Sequence, residues 1–298
     1  MNVYDQIAQN KLKTYLFIAG FVAFVVFVAY ILGGATDSGP GFAIVALLIS
    51  SVMSVGSFFW SDKIVLAMTG ARPADPQRDF NLVTVTENIA IASGLPKPKV
   101  YVIDDPAPNA FATGRDPQHA VVAATTGLVQ LLDRTELEGV IAHELGHVKN
   151  YDIRLMAVVT VLAGVVVLMV DMFSRSLWFG TRRRDDDRNS SGAIFLVIGL
   201  VISLLAPLIA TVMKLAISRK REYLADATGA YLTRNPGALA DALIKISADP
   251  QRMRNASNAT AHLFFANPFK KQSNGSWIAS LFNTHPPVED RVKLLRTM

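Results

Sequence analysis

The chain has 298 residues, of which 51% are hydrophobic and only 18% are charged. This composition is too apolar for an ordinary soluble protein and favours a membrane protein. The formal net charge of +5 does not indicate a nucleic-acid partner, because the basic residues are scattered or flank apolar runs and form no stripe along a helix. Because the sequence contains no cysteine, disulfides, thiolate metal ligands and a cysteine nucleophile are excluded.

The N-terminal part contains two uncharged apolar runs, at residues 15–32 and 42–60, each long enough to cross a bilayer as a helix. Glycine and proline between them predict a turn, so we expect an N-terminal transmembrane hairpin within residues 1–60. Basic residues flank the hairpin at its open end, namely Lys11, Lys13 and Lys63. The positive-inside rule therefore places this end in the cytoplasm.

Residues 61–154 have a globular composition and form the first part of a predicted folded domain. Short segments between turn residues predict three strands, at residues 100–103, 109–113 and 120–124. A helix is expected next, because Asp133 and Glu136 form a capping-box pattern ahead of apolar residues at helical spacing.

Two further apolar runs follow, at residues 155–170 and 193–213. The first is short for a membrane span and the second is long enough, and the near-total lack of polar residues favours spans over core helices of a soluble lobe. We therefore predict a second hydrophobic hairpin within residues 155–213, and we expect residues 214–298 to complete the folded domain.

His143, Glu144 and His147 form the pattern H-E-x-x-H inside the predicted helix. A helix places the two imidazoles one turn apart on the same face, which suits two ligands of a tetrahedral zinc ion. Glu144 projects beside the metal, where its carboxylate could accept a proton from a water that attacks a peptide carbonyl. The pattern therefore supplies both a chelator and a base.

Catalytic zinc usually takes three protein ligands, so a third ligand is needed. Asn150 and Ile153 exclude the metzincin pattern, which requires Gly and His at those positions. Among the glutamates, Glu222 is the candidate for a site with two histidines and one glutamate. Asp226 shares its helix face and could orient a ligand histidine. The spacing alone equally allows a solvated carboxylate pair beside the basic residues that precede Glu222.

Five sequence blocks, in this order, resemble the HtpX family of bacterial membrane zinc metalloproteases, which is related to the CAAX prenyl proteases. The blocks are GLPKPKV at 94–100, PNAFATGR at 108–115, EGVIAHELGH at 138–147, REYLAD at 221–226, and THPP at 284–287 with Arg291. The resemblance covers nearly the whole chain. It implies a membrane protein with an α+β zincin-like catalytic domain, and it fits the α-helical membrane pattern of four transmembrane helices in two hairpins that the apolar runs predict.

The resemblance also implies the metal site and the base. One zinc ion per chain would be held by His143, His147 and Glu222, with Glu144 as the general base. In this arrangement the catalytic domain is divided into residues 61–154 and 214–298, with the third ligand in the second part.

Four further features are implied by the resemblance. Asp226 would be a supporting carboxylate, Arg291 would lie near it, and His285 would stabilise the oxyanion. An edge strand that pairs with an extended substrate is implied at Asn109, Ala110, Phe111 and Ala112. By chemistry alone, a histidine ahead of two prolines is more often a turn residue, and the segment at 109–112 would be an ordinary strand.

The family implies an endopeptidase that cleaves unfolded or damaged membrane proteins in stress response and protein quality control. It implies a multi-pass protein of the bacterial inner membrane whose partners are protein substrates and the lipid bilayer, with no nucleic acid. Two alternatives are a prenyl-protein protease of the CAAX type and a non-catalytic membrane scaffold that keeps zinc for its structure.

The topology of the second hairpin follows from the metal site. His147 and Glu222 must meet at one ion, so the two apolar runs between them either both cross the bilayer or both stay on one side. The loop at 174–192 contains several arginines, which the positive-inside rule disfavours outside, but basic residues also flank the runs on the catalytic side. We favour four spans with a cytoplasmic active site; a shallow re-entrant hairpin is the alternative.

Overall fold

The computed structural model describes residues 3–35, 41–162, 164, 219–257, 260–269 and 286–298. The helices in these ranges are α1 Val3–Ala35, α2 Gly41–Thr69, α3 Phe80–Ser93, α4 Thr126–Leu131, α5 Arg134–Lys149, α6 Arg219–Thr233, α7 Pro236–Ala248 and α8 Val288–Leu295. The strands are β1 Arg72–Pro73, β2 Lys99–Ile103, β3 Ala110–Thr113 and β4 Val121–Thr125. The described chain is thus mostly helical with a small sheet, as the sequence predicts.

Helices α1 and α2 pack against each other as a hairpin, and each contains a segment able by length and composition to span a membrane. These segments are Ile7–Phe27 and Ile44–Thr69. Only 11% and 22% of their most apolar windows are buried in the protein, so their side chains are available to lipid. Helix α2 continues beyond Trp60, and Val65 and Leu66 at its end are buried in the folded domain.

The sheet has the strand order β1-β2-β4-β3, with β2 and β4 parallel and the other two pairs antiparallel. The three strands predicted from the sequence are confirmed as β2, β3 and β4, with ends that differ by one residue. Alternate residues of β4 enter different clusters: Val122 and Ala124 face one side, and Val121 and Ala123 the other. Both faces of the sheet are therefore covered.

Helix α5 lies at the centre of the larger core and packs against α3, α6, α7 and β3. Its predicted capping box is confirmed: the backbone N–H of Glu136 donates to Oδ1 of Asp133, and the backbone N–H of Asp133 donates to Oε2 of Glu136, each at 2.9 Å. Its apolar face is buried through Leu137, Val140, Ile141, Leu145 and Val148. Capping and packing together fix where the His-Glu-x-x-His segment lies.

The second predicted hydrophobic hairpin, residues 155–213, lies mostly outside the described residues. Residues 152–162 are helical, and the side chains at 155–162 are all buried in the protein. The start of the third apolar run therefore packs inside the protein rather than facing solvent or lipid.

Candidate metal centre

Helices α5 and α6 bring three potential ligands together. Nε2 of His143 lies 3.2 Å from Nε2 of His147, which in turn lies 3.4 Å from Oε1 of Glu222. Oε2 of Glu222 is 3.9 Å from Nε2 of His143. One ligand atom from each residue lies within 4.8 Å of the others, and all three side chains are buried. The three residues could therefore hold a metal ion.

Two glycines let the helices approach closely enough for this contact. A Cβ at Gly229 of α6 would lie 3.1 Å from the backbone N of His143, and one at Gly146 of α5 would lie 3.3 Å from Cα of Ala225. Such contacts are shorter than side chains ordinarily make, so larger residues would push α6 away. The glycines thus set the spacing that places Glu222 opposite the two histidines.

Two buried carboxylates orient the imidazoles. Nδ1 of His143 lies 2.9 Å from Oδ1 of Asp226, and Nδ1 of His147 lies 3.0 Å from Oδ2 of Asp152. A carboxylate accepts hydrogen bonds only, so each Nδ1 carries the proton and each Nε2 presents its lone pair to the other and to Glu222. Carboxylates behind ligand histidines fix their tautomer and orientation in this way in many metal sites.

The protonation of the two histidines differs. Burial lowers the pKa of His143 to about 4, although the Asp226 carboxylate acts in the opposite direction. Burial also disfavours the charged form of His147, but Asp152 and Glu222 outweigh burial and raise the pKa of His147 to about 10. A metal cation binds only an unprotonated Nε2, so it would have to displace the proton that Asp152 and Glu222 favour on His147.

The donor set fits zinc. Ligands about 2.0–2.1 Å from a tetrahedral ion lie about 3.3 Å from one another. The Nε2–Nε2 distance of 3.2 Å and the 3.4 Å distance from His147 to Glu222 are close to that value, whereas the 3.9 Å distance from His143 to Oε2 of Glu222 is longer. Two imidazoles and one carboxylate are also a common ligand set of catalytic zinc, which keeps one position open for water or substrate.

Arg291 of α8 neutralises the carboxylate behind His143. Its Nε donates to Oδ2 of Asp226 at 2.8 Å and its Nη2 donates to Oδ1 at 2.6 Å, a bidentate pair that is fully buried. Burial raises the pKa of Asp226, but the guanidinium outweighs that effect and lowers this pKa to about 2. Nη1 of Arg291 is 3.8 Å from Oε2 of Glu222, so the same cation also faces the third candidate ligand.

The remaining site residues predicted from the sequence are placed as follows. Glu144 is buried beside His143 on α5, and its charge is among those that raise the pKa of Arg291 against the opposing effect of burial. His285 lies outside the described residues.

Strand β3 is at the edge of the sheet, but part of its outer side is already covered. The backbone N–H of Phe265 donates to the carbonyl of Ala110 at 2.8 Å, and the side chain of Asn109 exchanges hydrogen bonds with the main chain of Ala266 at 2.8 and 3.0 Å. The ring of Phe265 also packs edge-to-face against His143, with centroids 5.0 Å apart. The segment around Phe265 therefore joins the edge strand to the site.

Sequence reasoning missed Asp152 and Phe265. Asp152 follows the end of α5 by a short turn, so a carboxylate just after the second histidine was the available signal. Phe265 reaches the site from a segment far along the chain, and no local pattern marks it.

A buried cluster on α5 and α6 that could hold a metal ion, together with an apolar helical hairpin, is the arrangement expected of a membrane metalloprotease. The sequence model of Peptidase family M48 matches residues 76–298. The chain therefore belongs to this family. The predicted resemblance to the HtpX family is confirmed by relatives over nearly the full length.

Two relatives named Protease HtpX homolog share almost half of their residues with this chain. The protein from Caldanaerobacter subterraneus subsp. tengcongensis is 48% identical over 299 residues, covering 99% of this chain and 98% of the relative. That from Thermoanaerobacter pseudethanolicus is 47% identical over 301 residues, with the same coverage of 99% and 98%. Among solved structures, S. mikatae Ste24p aligns over 98% of this chain and 67% of its own, at 19% identity and a TM-score of 0.49.

Proposed function

We propose that His143, His147 and Glu222 hold one zinc ion per chain and that Glu144 is the general base of peptide-bond hydrolysis. The observation that carries this proposal is the convergence of two buried Nε2 lone pairs and a carboxylate within 4.8 Å. Zinc, when bound, would polarise the peptide carbonyl and make the attacking water more acidic.

The protein side chains divide the remaining work. Glu144 accepts the proton of the attacking water and then passes it to the departing amine, as a carboxylate next to the metal can do without moving far. Asp226 and Asp152 keep the two imidazoles in the tautomer that presents Nε2. His285 donates to the oxyanion; this role is inferred from the family resemblance.

The substrate is proposed to pair with the outer side of β3. The backbone N–H of Thr125 donates to the carbonyl of Asn109, so alternate residues bond to β4, and Ala110 and Ala112 direct their main-chain groups away from it. Since Phe265 already donates to Ala110, we place the substrate at Ala112, which is 3% exposed and would have to be uncovered for pairing. Main-chain pairing tolerates many sequences, which suits unfolded or damaged membrane proteins as substrates.

The edge-strand role can be tested with Ala112→Pro. Proline removes the outward N–H without removing a hydrogen bond to β4, so KM for an unfolded protein substrate should rise several-fold while kcat changes little. An unchanged KM in a variant with wild-type thermal stability would rule out pairing at this residue.

We also propose four transmembrane helices in two hairpins, with the catalytic domain formed by residues 61–154 and 214–298 on the cytoplasmic side of the inner membrane. Support comes from the two apolar helices with exposed side chains and from the apolar runs at 155–170 and 193–213. Because the chain has no cysteine, one introduced at Asn189 can be labelled selectively from outside intact cells. Labelling is expected; no labelling would favour a re-entrant hairpin.

Glu144→Gln tests the proposed mechanism. The purified variant should retain zinc but cleave an unfolded protein at least about 100-fold more slowly, because the amide cannot accept the proton. Glu138→Gln is the matched control on the same helix, where the side chain pairs with Arg134 and should be dispensable. Cleavage by Glu144→Gln at the wild-type rate would contradict the assignment. Competition by prenylated peptides, but not by their unmodified forms, would indicate the prenyl-protein protease instead.

A further inference from the structure

Helix α1 carries a buried amide that reaches the surroundings of the metal centre. Asn10 is only 3% exposed, although it lies in the apolar candidate span Ile7–Phe27. Its Nδ2 donates to Oδ1 of Asp152 at 2.7 Å and to the carbonyl of Asn150 at 3.0 Å. Both amide hydrogens are therefore directed at the turn that follows α5.

Asp152 links this amide to both sides of the metal centre. Its Oδ2 accepts from Nδ1 of His147, and its Oδ1, which accepts from Asn10, is also 3.5 Å from Nη1 of Arg221. Arg221 directly precedes Glu222 on α6. A shift of the Asp152 carboxylate would therefore change the orientation of His147. It would also change the contact with Arg221 on α6, the helix that carries Glu222.

The backbone of the turn is strained at Tyr151. Tyr151 has a φ of 59°, in the left-handed region that bulky residues rarely adopt. Nζ of Lys11 lies 4.4 Å from the Tyr151 ring centroid, and the guanidinium of Arg154 lies 5.1 Å from it. Two consecutive residues of α1, Asn10 and Lys11, thus contact the strained turn.

We propose that Asn10 is a positioning residue of the metal centre: it holds Asp152, and through it His147, so that membrane helix α1 forms part of the support of the site. A purely structural role would only attach α1 to the domain. The positioning role requires in addition that loss of the amide alters how the metal is held. The proposal rests on the zinc ligands proposed above.

The test uses full-length protein in detergent and the variant Asn10→Leu, which suits a membrane helix and removes both donors. Zinc affinity is measured by chelator competition, and ligand geometry by the visible absorption of the cobalt-substituted protein. We expect zinc binding to weaken several-fold, less than the roughly tenfold loss expected when a direct partner of a ligand histidine is removed, and the cobalt bands to change. Asn10→Ser, too short to reach both acceptors, is measured alongside and should change in the same direction.

Thr14→Val is the matched control. Thr14 is buried one turn further along α1, and its hydroxyl donates to the carbonyl of Asn10 within the helix. This variant should match the wild type in affinity and spectrum. In an Asp152→Asn background, Asn10→Leu should have no further effect on zinc affinity, because both act through one carboxylate.

The outcomes separate the two proposals. Wild-type cobalt bands and zinc affinity in both Asn10 variants, or losses that simply add to that of Asp152→Asn, would overturn the role of Asn10 alone. A wild-type protein that binds no zinc would contradict the proposed metal centre itself.

Discussion

His143 is supported from within the folded domain, whereas His147 is supported by a turn that contacts membrane helix α1. Behind His143, Asp226 forms a bidentate buried pair with Arg291. Behind His147, Asp152 accepts from a neutral amide of Asn10, and its contact with the guanidinium of Arg221 is longer, at 3.5 Å. Removing Arg291 from the first arrangement would leave a buried carboxylate without its cation, whereas the second arrangement connects the carboxylate behind His147 to helix α1.

Among the variants that test this comparison, loss of Arg291 should lower the free energy of unfolding the most. Arg291→Leu leaves the buried Asp226 carboxylate without its guanidinium, so we expect the free energy of unfolding to fall by about 3–5 kcal/mol. Thermal or denaturant unfolding of the metal-free protein in detergent measures this loss of stability. Arg296→Leu is the control, because its pair with Asp241 is half exposed and should contribute about 0–1 kcal/mol. If Arg291→Leu and Arg296→Leu lowered stability equally, the buried pair with Asp226 would be no more important than an exposed one.

Gly229→Ala tests the close approach of α6 on the His143 side. The added methyl group would lie 3.1 Å from the backbone N of His143, so we expect a loss of about 1–3 kcal/mol in stability and weaker metal binding. Gly237→Ala, where the nearest atoms are side-chain atoms at 3.5 Å, should be tolerated. Full stability and metal affinity in Gly229→Ala would show that helix spacing does not set the site.

Asp152→Asn tests the His147 side with an isosteric change. Zinc affinity should fall about tenfold, or about 1.4 kcal/mol, because the amide can stabilise the wrong tautomer of His147. Stability of the metal-free protein should fall much less than in Arg291→Leu. If Asp152→Asn lowered the free energy of unfolding of the metal-free protein by as much as it lowered the free energy of zinc binding, the difference between the two histidine supports would be refuted.

The N-cap of α5 supports both histidines equally and should give the smallest effect. Asp133→Ala is expected to cost about 1 kcal/mol. Hydrogen bonding, first from the backbone of Glu136, lowers the pKa of Asp133 below 3.8. The cap therefore contributes fully above the ordinary carboxyl range, and its contribution is lost as pH falls through the lowered pKa, so variant and wild type should converge in acid. Unfolding curves at pH 7 and in acid measure this; a difference that persisted in acid would contradict the cap.

The sequence predicted the features that local patterns encode. The capping box, the helical spacing of α5 and the short strands were found because each depends on neighbouring residues. The structure brings Glu222 and Asp226 to the histidines of α5, as the family resemblance implied.

The supports of His147 could not be predicted in this way. Asp152 acts through a turn with Tyr151 in a left-handed conformation, which residue preferences argue against. Asn10 lies 142 residues before its partner Asp152, and Phe265 approaches from a segment without regular structure. Contacts of this kind depend on the tertiary fold and leave no periodic signal.

Zinc content of purified wild-type and Glu222→Gln protein tests the metal centre most directly. Elemental analysis after removal of loosely bound metal should give about one zinc per wild-type chain and a large loss in Glu222→Gln, since three protein ligands hold catalytic zinc. Glu289→Gln, a glutamate at the first turn of α8, is the control and should keep its zinc. Undiminished zinc in Glu222→Gln would contradict a site built from α5 and α6.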